Sequence, residues 1–158
     1  MLFRSTIWTA TFTPNANSTG SALITVAAGS YTDIVGRAGG AAAAPDISFD
    51  TLAPTVTITA DKETLKAGET ALITFSFSED PGTSFVWDGS TGDVAVTGGT
   101  LSAISGSGLL RTATFTPLTQ GTGNATIALS SGSYSDSAGN PGGAGASPVI
   151  IFDTRISI

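Results

Sequence analysis

The residues able to do chemistry in this sequence are oxygen donors. Histidine and cysteine are both absent from the 158 residues, which removes serine triads, imidazole acid–base catalysis and metal sites built on imidazole or thiolate. What remains is a small set of acids, 12 against 6 Lys and Arg, set mostly in turn sequences. The stretch SYSDSAGNPGG carries Asp136 and Asn140 around Gly139, and SYTDIVGRAGG repeats the phrase upstream with Asp33 and with Arg37 in the place of Asn140. Asp50 ends PDISFD, and Glu79 with Asp80 follows ALITFSFS. Carboxylates and a neutral amide carbonyl suit a hard divalent cation, calcium above all, which takes six to eight oxygens in flexible geometry. Paired carboxylates can also hydrolyse glycosides. Here, however, the acids do not line a cleft of aromatics and arginines, and the glycine clusters GSTGD and GNPGG lack the Gly-Lys-Ser/Thr of a phosphate loop. No catalytic residue and no enzyme activity is assigned.

Those acids are positioned by a repeat. TATFTPNANSTGSALITVAAGSYTDIVGRAGGAAAAPDISFDT aligns without a gap with TATFTPLTQGTGNATIALSSGSYSDSAGNPGGAGASPVIIFDT, about a hundred residues on. Phe12/Phe115, Pro14/Pro117, Tyr31/Tyr134, Asp33/Asp136 and Phe49-Asp50/Phe152-Asp153 are identical pairs. Residues 1–50 therefore read as the C-terminal part of a truncated repeat, 51–154 as a complete one, and 155–158 as the start of the next linker, with Arg155 where Leu52 stood. Pro54 stiffens the connector FDTLAPT.

An apolar fraction of 41% supports a packed core, and 20 glycines with only 11% charged residues favour strands and tight turns over helices. Period-two alternation in TVTITA and ALITFSFS, followed by SFVW, DVAVTGGTLSAIS, LLRTATFTP, NATIALSSGSY and PVIIFD, predicts seven short strands. DKETLKAGET reads as a charged turn. The fold class expected is all-β, an immunoglobulin-like Greek-key sandwich, preceded by the last three strands of another: TIWTATFTP, SALITVAAGSY and PDISFD. In such a sandwich the loop after the second strand and the loop before the last return to the pole where the chain enters. That gathers Asp50, Glu79, Asp136 and Asn140 as ligands for a structural calcium ion, with Asp80 a less certain neighbour. A cluster of like charges is repulsive unless a cation screens it. Equally, Asp-x-x-Gly-Asn is an ordinary turn that satisfies its own amides. Arg37 in the partial copy would oppose a metal.

FDTLAPTVTITADKETLKAGETALITFSFSE, VAVTGGTLS, RTATFTP and GSYSDSAGNPG resemble the bacterial immunoglobulin-like tandem repeats of large surface adhesins and biofilm-associated proteins. The resemblance implies an extracellular, cell-surface stalk of tandem sandwiches that carries an adhesive module away from the cell, often with calcium at repeat junctions. Its implied partners are neighbouring repeats of the same chain, and a host or matrix ligand reached through other domains.

Other readings stay open. Trp87 in SFVWDGSTGD could mark a carbohydrate- or matrix-binding module, although a lone Trp after a strand usually belongs to the core. The incomplete first repeat could be completed by another chain, giving self-association through strand complementation. Phe75, Phe77, Phe115 and Phe152 read as core, Tyr31 and Tyr134 as corner hydrogen-bond donors, and Asp88, Asp93, Lys62, Glu63, Lys66 and Glu69 as solvated turn residues. A net charge of −6 argues against nucleic acid. No run approaches the ~20 apolar residues of a membrane helix. The opening MLFRSTIWTATFTP lacks the apolar core of a secretory signal, so an exported protein would carry its signal outside this chain.

Overall fold

The computed structural model describes residues 6–158, and every regular element among them is a strand. The chain divides into two compact units, Met1–Leu52 and Ala53–Ile158.

The second unit is the sandwich. One sheet pairs β5 (Val56–Ala60), β7 (Ala71–Phe77), β10 (Leu110–Pro117) and β9 (Gly99–Leu101), in that order and antiparallel throughout. The other is centred on β11 (Thr122–Leu129), which is flanked on one side by β8 (Val94–Thr97) and on the other by β12 (Gly145–Ala146) and β13 (Ile150–Asp153). Beyond β13 lies β6 (Thr64–Lys66), paired parallel to it. This is the strand arrangement of an immunoglobulin-like sandwich, with its first strand divided between the two sheets.

Alternation explains why these segments are strands. Ala71, Ile73, Phe75 and Phe77 of β7 face inward and are buried, as are Ala125, Ile127 and Leu129 of β11 and Ile150 and Phe152 of β13. Phe115 is fully buried between the sheets, so all four phenylalanines assigned to the core lie there. At one end Phe85 packs on Phe75 and Phe77 at ring separations of 5.4 and 5.0 Å, and Tyr134 meets Phe77 edge-on at 5.1 Å. Each aromatic so buried contributes on the order of 1.5–3 kcal/mol of transfer free energy.

Three segments depart from expectation. DKETLKAGET contains β6, because a single inward residue, Leu65, is almost wholly buried and β13 offers a free edge for its backbone. SFVW forms a tight hairpin in place of a strand: Trp87 bridges Gly92, the Asp93 amide donates to the Val86 carbonyl at 2.8 Å, and the Val86 amide to Asp93 Oδ2 at 2.6 Å. DVAVTGGTLSAIS is two strands, β8 and β9, in different sheets. The chain changes sheets at Gly98, whose φ of 78° and close approach to Ala125 exclude a side chain: a Cβ there would lie 2.7 Å from that of Ala125.

In the first unit β1 (Thr19–Ala22) pairs with β4 (Ile47–Asp50) and β2 (Thr25–Val26) with β3 (Ala42–Ala43), in the registers that β11 uses with β13 and β12. The residues of TIWTATFTP form no strand among the described residues. Its counterpart β10 is held by β7 and β9, which have no equivalents among the described residues of this unit. Phe12 and Tyr31 are accordingly 38% and 54% exposed, whereas their counterparts Phe115 and Tyr134 are 0% and 2% exposed.

Gly98→Ala should destabilise the second unit by about 2 kcal/mol or more, since it combines a left-handed backbone with a steric clash. Leu65→Ala should cost about 2–5 kcal/mol if β6 is an integral core strand. Urea unfolding midpoints check both; an unchanged midpoint for Leu65→Ala would return that segment to the status of a surface turn.

Candidate metal centre

The N-terminal pole of the second unit is built on the carbonyl of Pro54. It accepts the amide of Gly143 at 2.9 Å and the hydroxyl of Tyr134 at 3.3 Å, so the expected corner bond is present and joins the segment before β5 to the loop after β11. The loop after β7 is tied to the same segment: the Thr55 amide donates to Ser78 Oγ at 2.8 Å and the Ser78 amide to the Thr55 carbonyl at 2.9 Å. Ser84 then joins the two loops. Its hydroxyl lies 2.6 Å from the carbonyls of Pro81 and Ser135, and it accepts the Ser135 amide at 3.0 Å. The recess between them, about 810 Å³, is lined by Glu79 to Ser84 and Ser135 to Ser137.

Here the structure brings together three of the four sequence-selected residues. A carboxylate oxygen of Glu79 lies within 4.8 Å of one from Asp136; Glu79 Oε1 and the Asp136 side chain are both withdrawn from solvent. Asn140 donates its amide nitrogen to Asp136 Oδ2 at 2.8 Å, and an amide bound through nitrogen keeps its carbonyl as an acceptor. Asp50 belongs to the first unit, where it closes β4 and accepts the Leu52 amide on Oδ1 at 3.0 Å.

Asp136 also serves its own loop. Its Oδ1 accepts the amides of Ala138 and Asn140, both at 2.9 Å, and Gly139 takes the φ of 90° that the turn requires. Burial, the largest single influence, pushes its carboxyl upward, but the bonds from the Asn140 side chain and from the amides of Asn140, Ala138 and Gly139 carry it below the ordinary value. In the first unit Asp33 makes the same turn, with its Oδ2 paired to Arg37 Nε at 2.9 Å.

Asp80 has other partners. It caps Gly82 and meets Arg111 Nη2 at 3.2 Å, and Arg111 also donates to the Gly82 carbonyl at 3.3 Å. Arg111 was not selected from the sequence, yet it is buried on the inward face of β10, in line with Ala113 and Phe115. An arginine in phase with core residues must find partners, and that phase is the signal that could have found it. Asp88 is an exposed turn cap held far below the usual carboxylate range by the amides of Thr91 and Ser90 and their hydroxyls. Trp87 packs against the core with its indole nitrogen 3.4 Å from the Leu101 carbonyl, which favours the structural reading of that residue.

The arrangement places hard oxygen donors close together on a braced pole. The folded Asp136 value lies below 3.8, so its stabilisation is complete above the unfolded value and is lost as pH falls through the lower folded one. Thermal melts from neutrality to about pH 2 should show stability dropping below about pH 4, with Asp136→Asn less stable at neutrality and less responsive to acid. Tyr134→Phe should cost about 1 kcal/mol at either pH. No curated protein and no solved structure matches the chain. A family model described as bacterial Ig-like domain matches residues 3–48 and, a second time, residues 50–151. With that model matched twice over nearly its whole length, and with an all-β sandwich fold, this chain belongs to the bacterial Ig-like domain family.

Proposed function

We propose that the chain is a structural spacer, a stalk segment of a bacterial cell-surface adhesin that supports adhesion or biofilm formation outside the cell, and that calcium at the junction between repeats makes it rigid. Bacterial Ig-like domains usually occur in surface proteins and are not catalytic, which supports the spacer role. The observation that carries the calcium reading is the Glu79–Asp136 pair, two carboxylates within 4.8 Å on a pole braced by backbone hydrogen bonds. Their repulsion is relieved by a cation, and the Asn140 carbonyl with backbone oxygens or water extends the shell toward calcium's preferred coordination. Asp50 precedes Pro54 by four residues, at most ~14 Å of extended chain, and the reading adds it as the ligand contributed by the preceding repeat. An ion that binds only the aligned pair stabilises alignment by its own binding free energy, about 2.7 kcal/mol at a concentration one hundred times Kd.

A cleaner probe than Asp136 is Glu79, because Asp136 also caps its loop. The full chain should melt several degrees higher in calcium than in chelator, and Glu79→Gln should abolish most of that difference without lowering the melting point in chelator. A parent indifferent to calcium would leave the acids as turn and surface chemistry.

A second reading is favoured by the exposure of Phe12 and Tyr31 in the first unit, whose counterparts Phe115 and Tyr134 are buried. A second copy of this chain supplying strands to that face would make the protein a strand-complemented assembly subunit. Mass measurement in solution separates the cases: a dimer or larger assembly supports complementation, and a strict monomer at high concentration removes it.

A further inference from the structure

Each repeat ends on a threonine that fastens the outgoing chain to the repeat it is leaving. Thr51 follows β4, and its amide donates to the Ser18 carbonyl at 2.9 Å. Its hydroxyl accepts the Ser18 amide at 3.1 Å and lies 2.6 and 3.0 Å from the carbonyls of Asn15 and Ser18. Thr154 follows β13 and repeats the clasp on the loop between β10 and β11. Its amide donates to the Gly121 carbonyl at 2.8 Å, its hydroxyl accepts the Gly121 amide at 3.0 Å, and the same oxygen lies 2.5 and 3.2 Å from the carbonyls of Leu118 and Gly121. A hydroxyl can donate one bond while accepting another, so one side chain holds both ends of the loop. Within the clasped loops Asn17 and Gln120 both adopt a φ of 52°, and they are the non-glycine residues with positive φ among those described. Such a conformation is uncommon and persists where its surroundings fix it.

On the far side of the connector the chain is fastened again. Pro54 is fully buried and its carbonyl holds Gly143 and Tyr134, while Thr55 and Ser78 exchange two bonds. Each of these ties lies within a single unit. Between them run Leu52 and Ala53, both exposed, and the division into compact units falls between these two residues. Their torsions are not equally free. The Leu52 amide is held by Asp50 Oδ1 at 3.0 Å. Ala53 precedes a proline and is confined to extended conformations, and the ring of Pro54 fixes its own φ. The rotation left to the connector is concentrated at Leu52.

We infer that Leu52 and Ala53 form a hinge whose length is set by two anchors, Thr51 and Pro54, and that this hinge restricts the swing between consecutive repeats with or without a bound ion. The Thr51 hydroxyl acts as a positioning group that keeps the hinge from lengthening into the end of β4. Thr154 holds the chain leaving the second unit in the same way. The hinge is independent of the calcium reading: the stiffness it supplies comes from the covalent chain and one hydroxyl per repeat.

Because the chain has no cysteine, Ala28→Cys combined with Ser107→Cys places one spin label at an exposed position in each unit, and the distance distribution between the labels reads the hinge. The parent is expected to give one narrow distribution in calcium and in chelator alike. Ala53→Gly, which relaxes the restriction before proline, and Thr51→Val, which removes the hydroxyl and keeps the shape, are each expected to widen it about twofold or more. Thr51→Ser, which keeps the hydroxyl, is expected to retain the parent's width. A glycine-serine insertion after Leu52 supplies the width of an unrestricted joint. A parent as broad as that insertion overturns the hinge. A parent that is narrow only in calcium also overturns it, and leaves the calcium reading standing. A parent-like width for Ala53→Gly overturns the hinge even where Thr51→Val fails to fold, and a folded Thr51→Val of parent-like width overturns the role of the hydroxyl.

Discussion

The carbonyl of Pro54 is the point on which the second unit's pole depends. It lies in the connector, where proline limits the backbone, and it receives bonds from a distant loop downstream, one from the Gly143 amide and one from the buried Tyr134 hydroxyl, 80 residues on. Without that anchor the loop after β11 would have no fixed relation to the start of β5, and Asp136 would be a mobile surface acid. With it, the same loop is braced against the Ser78–Ser84 segment through Ser84 and Ser135. Glu79 and Asp136 are then held within 4.8 Å of each other on loops braced by these bonds.

Much of this was legible in the sequence because period-two alternation survives wherever a strand has a buried face. TVTITA and ALITFSFS are read correctly to within a residue, and their inward residues are the buried or half-buried ones. The repeat supplied the loop equivalences without any structural knowledge. β6 was hidden because a three-residue strand with one inward leucine carries no period, and its charged flanks look like a turn. The division of DVAVTGGTLSAIS depends on which sheet offers an edge on either side of Gly98, a tertiary fact that local pattern does not hold. Likewise TIWTATFTP has the pattern of β10, but β7 and β9, which pair with β10, have no equivalents among the described residues of its unit.

The candidate site was legible to a different degree. Topology selected two loops that the structure does bring to the pole where the unit begins, and Glu79, Asp136 and Asn140 lie together there. Residue type could not tell a carboxylate that caps a turn from one offered to a ligand. Asp80, Asp88 and Asp136 are all aspartates in Gly-rich turns, yet one pairs with a buried arginine, one binds four local donors, and one faces a second acid. Arg111 escaped attention because charge in a strand is usually read as facing solvent, whereas its phase with Phe115 points it inward.

The parallel pairing of β6 with β13 has a mechanical consequence. These strands belong to the first and last parts of the sandwich, run side by side in the same direction, and are joined at Ile151↔Thr64, Phe152↔Leu65 and Asp153↔Lys66. A load applied by pulling the two ends of the unit apart draws parallel neighbours in opposite directions along their length. Their backbone bonds are then strained together, in shear, and cannot open one after another as in a peeled hairpin. For a module joined end to end with others, that geometry makes rupture a collective event, and the short patch around Leu65 is the clasp through which tension passes.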